Sequence, residues 1–289
     1  MKILVLGGTG MAGHTISLYL KEVGHDVTVF SRRKFEYSKN IVGDITNFTF
    51  LKSVVEEGGF DSIINAVGIL NSNADENKSS AVLINSYLPH YLSSITANTK
   101  TKIIHMSTDC VFSGKDGGYS ENSLRDGETF YDRSKALGEI ENNKKDLTFR
   151  NSIIGPDLNV EGIGLFNWFM KQEGQIYGFV KAIWTGVTTI TLAKAIDKAI
   201  EENLSGLYNL VNNERINKFD LLNLFNKHMR SDKKIILPSE NLIIDKSLIN
   251  NRTDFSFEVP SYEEMIVEMR EWIESHKELY PHYFIRERA

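Results

Sequence analysis

The sequence has few of the features that mark secreted or membrane proteins. It contains one cysteine, Cys110, among 289 residues, so it cannot form an internal disulfide bond. No apolar stretch approaches the length of a membrane span. The short apolar run in MKILVLGGTG is interrupted by glycines before it reaches the length of a signal-peptide core. These absences predict a protein of a reducing compartment, the cytoplasm, that does not contact a membrane.

Basic charge and metal-ligand patterns are also scarce. The formal net charge is −5 at pH 7, which argues against a general nucleic-acid-binding protein, because such proteins carry a basic footprint. The seven histidines show no metal-ligand spacing with cysteine or acidic residues, so we expect no metal site. The G-x-S-x-G motif of a serine hydrolase is absent as well.

What the sequence does have is a regular alternation of apolar runs and amphipathic segments. Apolar runs are typical of parallel strands that are buried on both faces, and they occur at residues 3–6 and 27–30. Residues 62–67 and 102–106 are predicted as further strands. Segments with helical periodicity separate them. This alternation predicts an α/β fold built on a doubly wound parallel sheet.

The clearest motif is the glycine-rich loop GGTGMAG at residues 7–13, which satisfies both G-x-G-x-x-G and G-x-x-G-x-x-G. Glycine lets the backbone turn tightly and approach a pyrophosphate, and the following helix offers free N–H groups. Because the motif follows a buried strand and opens a helix, we predict a dinucleotide site in a Rossmann domain, although a tight turn without a ligand would look the same. The residues predicted to hold the cofactor here are Gly7, Gly10, Met11, Ala12 and Gly13.

The end of the second strand indicates which dinucleotide is bound. NAD sites usually place an acidic residue there to hold the ribose 2′-hydroxyl group. This sequence has Ser31, Arg32 and Arg33 instead. Guanidinium groups suit a phosphate, so we predict NADP (NADPH) as the cofactor; the alternative is a pair of solvated surface arginines.

The alternation of predicted strands and helices becomes irregular in the second half of the chain. Residues 159–185 are rich in glycine and aromatic side chains, and the segments after Arg215 look helical, with breaks at Pro238 and Pro260. We therefore predict a smaller C-terminal substrate lobe, with the active site in the cleft between it and the Rossmann domain. The predicted division is an NAD(P)-binding domain at 1–156 plus 186–212 and a substrate-binding lobe at 157–185 plus 213–289.

A tyrosine and a lysine stand four residues apart in TFYDRSKALGE. Tyr131 and Lys135 at this spacing lie on one face of a helix, close enough to act together. Upstream, Thr108 follows the strand at 102–106, and the carboxyl ends of parallel strands are where open α/β sheets place their chemistry. A hydroxyl, a phenol and an amine are therefore expected to converge on the cofactor.

Taken together, the motifs resemble those of the extended short-chain dehydrogenases/reductases, and more narrowly of the dTDP-4-dehydrorhamnose reductase branch. The likeness is weaker from about Asp157 onward. The matching segments, in the family's order, are GGTGMAG (7–13), GDIT (43–46), NAVG (65–68), STDCVFSG (107–114), YDRSKALGE (131–139) and RNSIIGP (150–156).

The resemblance implies a role for each matching residue. Tyr131 is the acid that protonates a carbonyl oxygen, Lys135 holds the nicotinamide ribose and lowers the tyrosine pKa, and Thr108 hydrogen-bonds the carbonyl. It also implies further cofactor contacts, namely Asp44 and Ile45 beside the adenine and Ala66, Val67 and Gly68 along the cofactor. The implied activity is NADPH-dependent reduction of the 4-keto group of a nucleotide-activated 4-keto-6-deoxy sugar, for surface polysaccharide synthesis, with a homodimer plausible for the family.

Departures from the family pattern bear on the substrate. Cys110 stands where the branch has a tyrosine, which leaves open a dTDP sugar or a UDP-linked N-acetylated amino sugar. Trp184 is a candidate substrate contact: its ring either stacks on a base or sugar ring or packs internally. Arg252 is a candidate for the substrate diphosphate, because a guanidinium group can bind phosphate through two hydrogen bonds.

Two other functions remain open from the sequence. One is an epimerase or dehydratase of the same superfamily, which usually uses NAD; the arginines after the second strand argue against it. The other is a non-catalytic, NADP-binding regulatory subunit resembling that of methionine adenosyltransferase, and the intact Tyr131–Lys135 pair argues against this one.

Overall fold

The computed structural model describes residues 1–141 and 144–283. Its strands are β1 (Lys2–Leu6), β2 (Asp26–Ser31), β3 (Lys39–Val42), β4 (Ser62–Asn65), β5 (Lys102–Ser107), β6 (Leu147–Arg150), β7 (Ile153–Ile154), β8 (Gln175–Phe179), β9 (Ala182–Trp184), β10 (Val187–Thr188), β11 (Gly206–Asn209), β12 (Ile216–Asn217), β13 (Ile235–Ser239) and β14 (Ile244–Asp245). Its α-helices are α1 (Met11–Glu22), α2 (Phe48–Gly58), α3 (Asn71–Glu76), α4 (Lys78–Ala81), α5 (Leu88–Ile95), α6 (Phe130–Leu137), α7 (Leu165–Lys171), α8 (Thr189–Glu201), α9 (Lys218–His228) and α10 (Tyr262–Ser275). A π-helical segment, Val82–Tyr87, joins α4 to α5.

The central sheet has seven strands in the order β11-β6-β5-β4-β1-β2-β3. All of its neighbouring strands pair in parallel. The strand order reverses between β1 and β4, and such a switch point opens a crevice at the carboxyl ends of the strands. The predicted doubly wound α/β fold is therefore confirmed.

Both faces of the central sheet are buried, as the continuous apolar runs require. Along β1, Ile3 and Val5 belong to a core cluster that also contains the apolar faces of α1, α8 and α10. Leu4 and Leu6 belong to a second cluster, with α2 and α5 on the opposite face. Alternate side chains of one strand thus supply two separate layers of core.

The remaining strands form small sheets of two or three strands. β8 pairs with β13, β9 lies between β12 and β14, and β7 pairs with β10. The strands β8, β9, β12, β13 and β14 all come from the two segments predicted as the substrate lobe, 157–185 and 213–289; residues 284–289 lie outside the described residues.

The helical reading of the segments after Arg215 is only partly correct. The structure has α9 and α10 there, but residues 235–239 form the strand β13. Pro238 lies inside this strand instead of breaking a helix. Proline has no N–H group to give to a second neighbour. Among the described residues β13 pairs on one side only, with β8, so an edge strand accommodates it. Within the described ranges, no helix is both long enough and apolar enough to cross a membrane.

Candidate active site

The glycine-rich loop joins β1 to α1 at the carboxyl edge of the central sheet. Gly7 has a φ of 80°, in the left-handed region that glycine adopts without strain. A Cβ atom on Gly13 would lie 2.1 Å from the Gly7 carbonyl oxygen, so the loop meets the helix this closely only without a side chain. α1 has Gly10 as its N-cap, and its first turn, which includes Met11 and Ala12, has no acidic residue. The free N–H groups and the positive end of the helix dipole therefore suit a pyrophosphate.

A buried histidine fixes the loop from behind. The His14 ring bonds the Gly10 carbonyl oxygen through Nδ1 at 2.9 Å and the Tyr280 hydroxyl through Nε2 at 2.7 Å. Burial lowers the pKa of His14 to about 4, so the ring is neutral at pH 7. Nδ1–H then donates to Gly10 and Nε2 accepts from Tyr280, whose oxygen in turn accepts from Trp272 Nε1 at 3.1 Å. Sequence spacing could not predict this support, because Tyr280 is 266 residues away.

The arginines predicted for NADP lie just past β2, at the same edge. The hydroxyl group of Ser31 donates to the Arg33 carbonyl oxygen at 2.5 Å and fixes the turn, while Arg32 and Arg33 are exposed. Within residues 1–141 and 144–283, neither guanidinium group has a hydrogen bond or an ion pair. Hydrogen bonds from Thr46 hold the pKa of Asp44 below its usual range, and the charge of Arg32 adds to this effect. Arg32 therefore faces the predicted adenosine region with its donors free.

The other predicted cofactor residues border this region. Ala66, Val67 and Gly68 directly follow β4, which neighbours β1. Val67 packs against the loop so closely that a Cβ atom on Gly7 would lie 2.9 Å from Val67 Cγ2. Ile45 is buried in the core cluster next to α2, and it supports the segment that carries the neighbouring Asp44 carboxylate.

Asn85, in the π-helical segment, joins the loop after β4 to α6. Its side-chain amide donates to the Ile69 carbonyl oxygen and to Ser134 Oγ, at 2.8 and 3.0 Å, and accepts from the Ile69 N–H at 2.8 Å. The side chain is fully buried. These contacts make Asn85 a support for the helix that carries Tyr131.

Thr108, Tyr131 and Lys135 converge at the carboxyl end of β5. Thr108 follows the strand, and its hydroxyl group donates to Asp109 Oδ1 at 3.1 Å. Tyr131 lies in the first turn of α6, and Lys135 lies one turn later. Lys135 Nζ donates to the Met106 carbonyl oxygen at 2.6 Å, which ties the helix to β5. All three side chains are buried.

The pKa of Tyr131 is raised in the structure, whereas the sequence predicted that it would be lowered. Burial raises it well above the ordinary value, the charges of Cys110 and Asp109 raise it further, and a hydrogen bond with Thr108 opposes them. Burial also lowers the pKa of Lys135 to about 8, against the charge of Glu139. The lysine was expected to lower the phenol pKa, but desolvation outweighs any such effect in this structure. The phenol is therefore protonated at neutral pH and can donate a proton.

A buried carboxylate behind these groups escaped the sequence analysis. Glu139 accepts four hydrogen bonds: Ser107 Oγ at 2.6 Å, Arg150 Nε and Nη2 at 2.8 and 2.7 Å, and Arg125 Nη1 at 2.8 Å. Burial raises its pKa, but the hydrogen bonds and charge of Arg150 outweigh burial and hold the pKa below the usual range. Because Ser107 precedes Thr108, this network fixes the strand end that presents the hydroxyl group. Glu139 and Arg150 lie in the matched motifs YDRSKALGE and RNSIIGP, and those motifs are the sequence feature that could have identified this network.

Trp184 is near the site but has little free surface. It is 3% exposed, its ring centroid lies 5.7 Å from that of Tyr262, and Lys218 Nζ lies 5.4 Å above its ring. Of the two readings that the sequence allowed, internal packing fits this arrangement, because Tyr262 and Lys218 already contact the indole.

Arg252 lies away from the predicted substrate position. Its Nη1 donates to the Ser205 and Leu207 carbonyl oxygens at 2.7 and 2.9 Å, and its Nε donates to Asp254 at 2.9 Å. Those carbonyls belong to the amino-terminal half of β11 and the residue before it, whereas Tyr131 lies at the carboxyl edge. The assignment of Arg252 to a substrate diphosphate is therefore not supported, because its N–H groups already donate to backbone carbonyl oxygens and to Asp254.

A model of the family described as RmlD substrate binding domain matches residues 1–247, which include the glycine-rich loop and the Thr108–Tyr131–Lys135 group. The chain belongs to the RmlD substrate binding domain family. This membership confirms the resemblance to the extended short-chain dehydrogenases/reductases and their dehydrorhamnose reductase branch.

Individual proteins of known sequence or structure resemble this RmlD-family chain over different lengths. The spore coat polysaccharide biosynthesis protein SpsK of Bacillus subtilis is 29% identical over 143 residues, 48% of this chain and 47% of that protein. A dTDP-4-dehydrorhamnose reductase of Aggregatibacter actinomycetemcomitans is 29% identical over 140 residues, 48% of this chain and 45% of that protein. The chain thus spans about half the length of the curated relatives it matches.

A solved structure extends the likeness in fold to nearly the whole RmlD-family chain. The dTDP-4-dehydrorhamnose reductase of Bacillus anthracis, in complex with NADP, superposes with a TM-score of 0.79 at 22% identity and covers 94% of this chain and 99% of its own. At that identity the likeness establishes the fold, and the activity has to be argued from the site.

Proposed function

We propose that this protein is an NADPH-dependent reductase of the 4-keto group of a nucleotide-activated 4-keto-6-deoxy sugar, with a product that enters surface polysaccharide synthesis. The observation that carries the proposal is the convergence of Thr108, Tyr131 and Lys135 beside the glycine-rich loop. The names of the curated relatives, a dTDP-4-dehydrorhamnose reductase and a polysaccharide biosynthesis protein, support the same chemistry.

The site residues fit a nicotinamide dinucleotide, because the loop leaves room only for backbone at Gly7 and Gly13 and α1 presents free N–H groups. When bound, that cofactor supplies the hydride. Tyr131 donates its phenolic proton to the substrate carbonyl oxygen, which becomes a hydroxyl group, and Thr108 hydrogen-bonds the same oxygen. Lys135, mostly protonated at pH 7, stabilises the phenolate that remains.

The cofactor preference follows from Arg32 and Arg33. Their exposed guanidinium groups stand where an NAD-binding protein would place a carboxylate, and they suit a 2′-phosphate. This arrangement favours NADPH over NADH and therefore a reductase over an epimerase or dehydratase.

Three further assignments stay predictions. The substrate lobe comprises residues 157–185 and 213–289, and the NAD(P)-binding domain comprises residues 1–156 and 186–212. The lone thiol, Cys110, fits a cytoplasmic location. The predicted homodimer can be tested by light scattering.

The test is NADPH oxidation, followed as loss of the reduced-nicotinamide absorbance, with two substrates prepared in situ. One is dTDP-4-keto-6-deoxy-L-mannose and the other is a UDP-4-keto-6-deoxy-N-acetylhexosamine. We expect oxidation with one of them, and its loss in Tyr131→Phe with NADPH affinity changed less than about threefold, because the phenol donates a proton and does not hold the cofactor.

Full activity in Tyr131→Phe would refute the proton-donor role. Bound NADPH without oxidation of either substrate, together with a copurifying enzyme, would favour the regulatory-subunit function instead.

A further inference from the structure

Two polar side chains meet in the apolar core beside the segment predicted to line the cofactor. Asn65 ends β4, and His105 stands opposite it on β5 as its partner in the parallel register. Both side chains are fully buried. Residues two positions apart on a strand share a face, and on this face Ile63 and Ile103 belong to the second core cluster. Burying polar groups in this layer is costly unless they are hydrogen-bonded, so the pair depends on the bonds that it makes.

The hydrogen bonds of this pair determine which ring nitrogen of His105 carries the proton. The Val67 N–H donates to Asn65 Oδ1 at 3.2 Å, and a backbone N–H can only donate, so the amide oxygen faces Val67. The amide nitrogen therefore faces His105, where Nδ2 donates to Nδ1 at 3.1 Å. Because Nδ1 accepts, the ring proton is on Nε2. Burial, together with the charge of Lys135, lowers the pKa of His105 well below its usual value, which agrees with a neutral ring.

The Nε2 proton of His105 has no acceptor in the part of the chain that the structure describes. Its nitrogen is enclosed, and no hydrogen-bond partner lies within reach among residues 1–141 and 144–283. An unpaired buried donor lowers stability, and an apolar side chain of similar size would avoid that loss. The imidazole is therefore better explained by what its other nitrogen does, which is to accept from Asn65.

Asn65 in turn holds the segment that follows β4. Its oxygen, at the Val67 N–H, fixes the turn of residues 66–68, and Val67 packs against the glycine-rich loop at Gly7. If the amide rotated by half a turn, its NH2 group would face the Val67 N–H, and two donors would meet without an acceptor. The lone pair of His105 Nδ1 favours the observed orientation, because it needs the NH2 group on its own side.

We propose that His105 is a positioning residue for the nicotinamide dinucleotide. By accepting from Asn65 Nδ2, it keeps the amide oxygen at the Val67 N–H and so keeps residues 66–68 in the shape that borders the cofactor crevice. The inference rests on the proposed function, which expects this segment along the cofactor. Because His105 acts through two other residues, its loss should weaken cofactor binding without removing a cofactor contact.

The experiment is a fluorescence titration of NADPH and NADH into the wild type, His105→Leu and Asn65→Leu, with the urea midpoint of unfolding measured for each. We expect His105→Leu to weaken binding of both cofactors about 3- to 10-fold, which is the range that one hydrogen bond contributes. The loss should be equal for the two cofactors, because the 2′-phosphate is predicted at Arg32 and Arg33. His105→Gln is the conservative variant. Its side-chain oxygen can accept from Asn65, so the affinity should return to within about twofold of the wild type.

A double variant and a control separate positioning from stability. In Asn65→Leu/His105→Leu both partners are apolar, so the urea midpoint should stay within about 0.5 M of the wild type while the cofactor affinity stays low. Adding His105→Leu to Asn65→Leu should cause no further loss of affinity, because the ring acts through the amide. Ser62→Ala is the matched control and should not change NADPH affinity. Ser62 is also buried on β4, with an Oγ that is unpaired among the described residues, but it lies at the other end of the strand.

Wild-type affinity for both cofactors in His105→Leu would overturn the proposal, and so would losses that add fully in the double variant. A purely structural role would lower the urea midpoint of His105→Leu and leave the cofactor affinity of the folded protein unchanged.

The titration needs no sugar and no turnover, so its outcome is separable from that of the proposed function. Weakened cofactor binding in His105→Leu, in a protein that reduces neither substrate, would retain the positioning role and reject the reductase. Reduction of a substrate by the wild type, with unchanged cofactor affinity in His105→Leu, would do the reverse.

Discussion

Removal of the Glu139 carboxylate should destabilise the protein strongly. Glu139 and Arg150 are both fully enclosed, with side-chain exposures of 0%. In Glu139→Ala, Arg150 keeps only longer contacts, at 3.3 Å, to the Ser120 carbonyl oxygen and to Asn209. Breaking a buried ion pair on one side costs about 3–5 kcal/mol, because the other charge remains buried. We expect a loss of that size in the free energy of unfolding from urea titration.

Glu141→Gln is the matched control. Glu141 pairs with the same Arg125, at 2.7 Å, but its side chain is 38% exposed. Surface ion pairs contribute about 0–1 kcal/mol, so this variant should unfold almost like the wild type. If Glu139→Ala and Glu141→Gln lost similar amounts, the buried network would not be the stabilising element that its geometry indicates.

The milder variant Glu139→Gln gives a second readout, in the pH dependence. The native pKa of Glu139 is lowered, so its contribution to stability is present above the unfolded pKa of about 4.5 and is lost as pH falls through the native pKa. Glu139→Gln removes this acid dependence. The charge of Glu139 also raises the pKa of Lys135, which is about 8 in the wild type. The alkaline limb of NADPH oxidation should therefore move to lower pH in Glu139→Gln.

Two other predictions concern the cofactor region. The double variant Arg32→Ala/Arg33→Ala should weaken NADPH binding about 10- to 100-fold and leave NADH binding nearly unchanged, because only NADPH carries the 2′-phosphate. Lys34→Ala is the neighbouring control. Equal loss of affinity for both cofactors in a fluorescence titration would reject the 2′-phosphate contact. The pKa of His14 is 6.5 in the unfolded state and about 4 in the native state, so mainly the unfolded state takes up a proton as pH drops from 6.5 to 4, and the free energy of unfolding should fall by about 3 kcal/mol over that range. His14→Gln should flatten this part of the pH profile. An unaltered profile would contradict the buried neutral ring.

The parts of the site that the sequence could predict are those set by short-range spacing. The glycine-rich loop lies between two contiguous elements, and the one-turn spacing of Tyr131 and Lys135 fixes their common helix face. Thr108 could be placed because the carboxyl ends of parallel strands share an edge. Each of these inferences needs only the local period of the chain and the rules of a parallel sheet.

The parts that failed depend on contacts between distant segments. Arg252 was a candidate for a diphosphate because of its chemistry, but its position beside β11 follows from the path of residues 246–254 around the sheet. β13 was read as helical because its partner, β8, lies about 60 residues earlier. The pKa of Tyr131 was expected to fall because a lysine is near in sequence, whereas burial, which spacing does not reveal, decides its direction.

The contact between His14 and Tyr280 has a consequence for the order of folding. The helix that shapes the glycine-rich loop is synthesised early, but the hydroxyl group that pairs with its buried imidazole emerges from the ribosome 266 residues later. Until then the ring nitrogen must be satisfied by water, so the apolar face of α1 cannot close over it. We therefore expect the glycine-rich loop to be among the last regions to gain protection from amide hydrogen exchange, even though its sequence comes first.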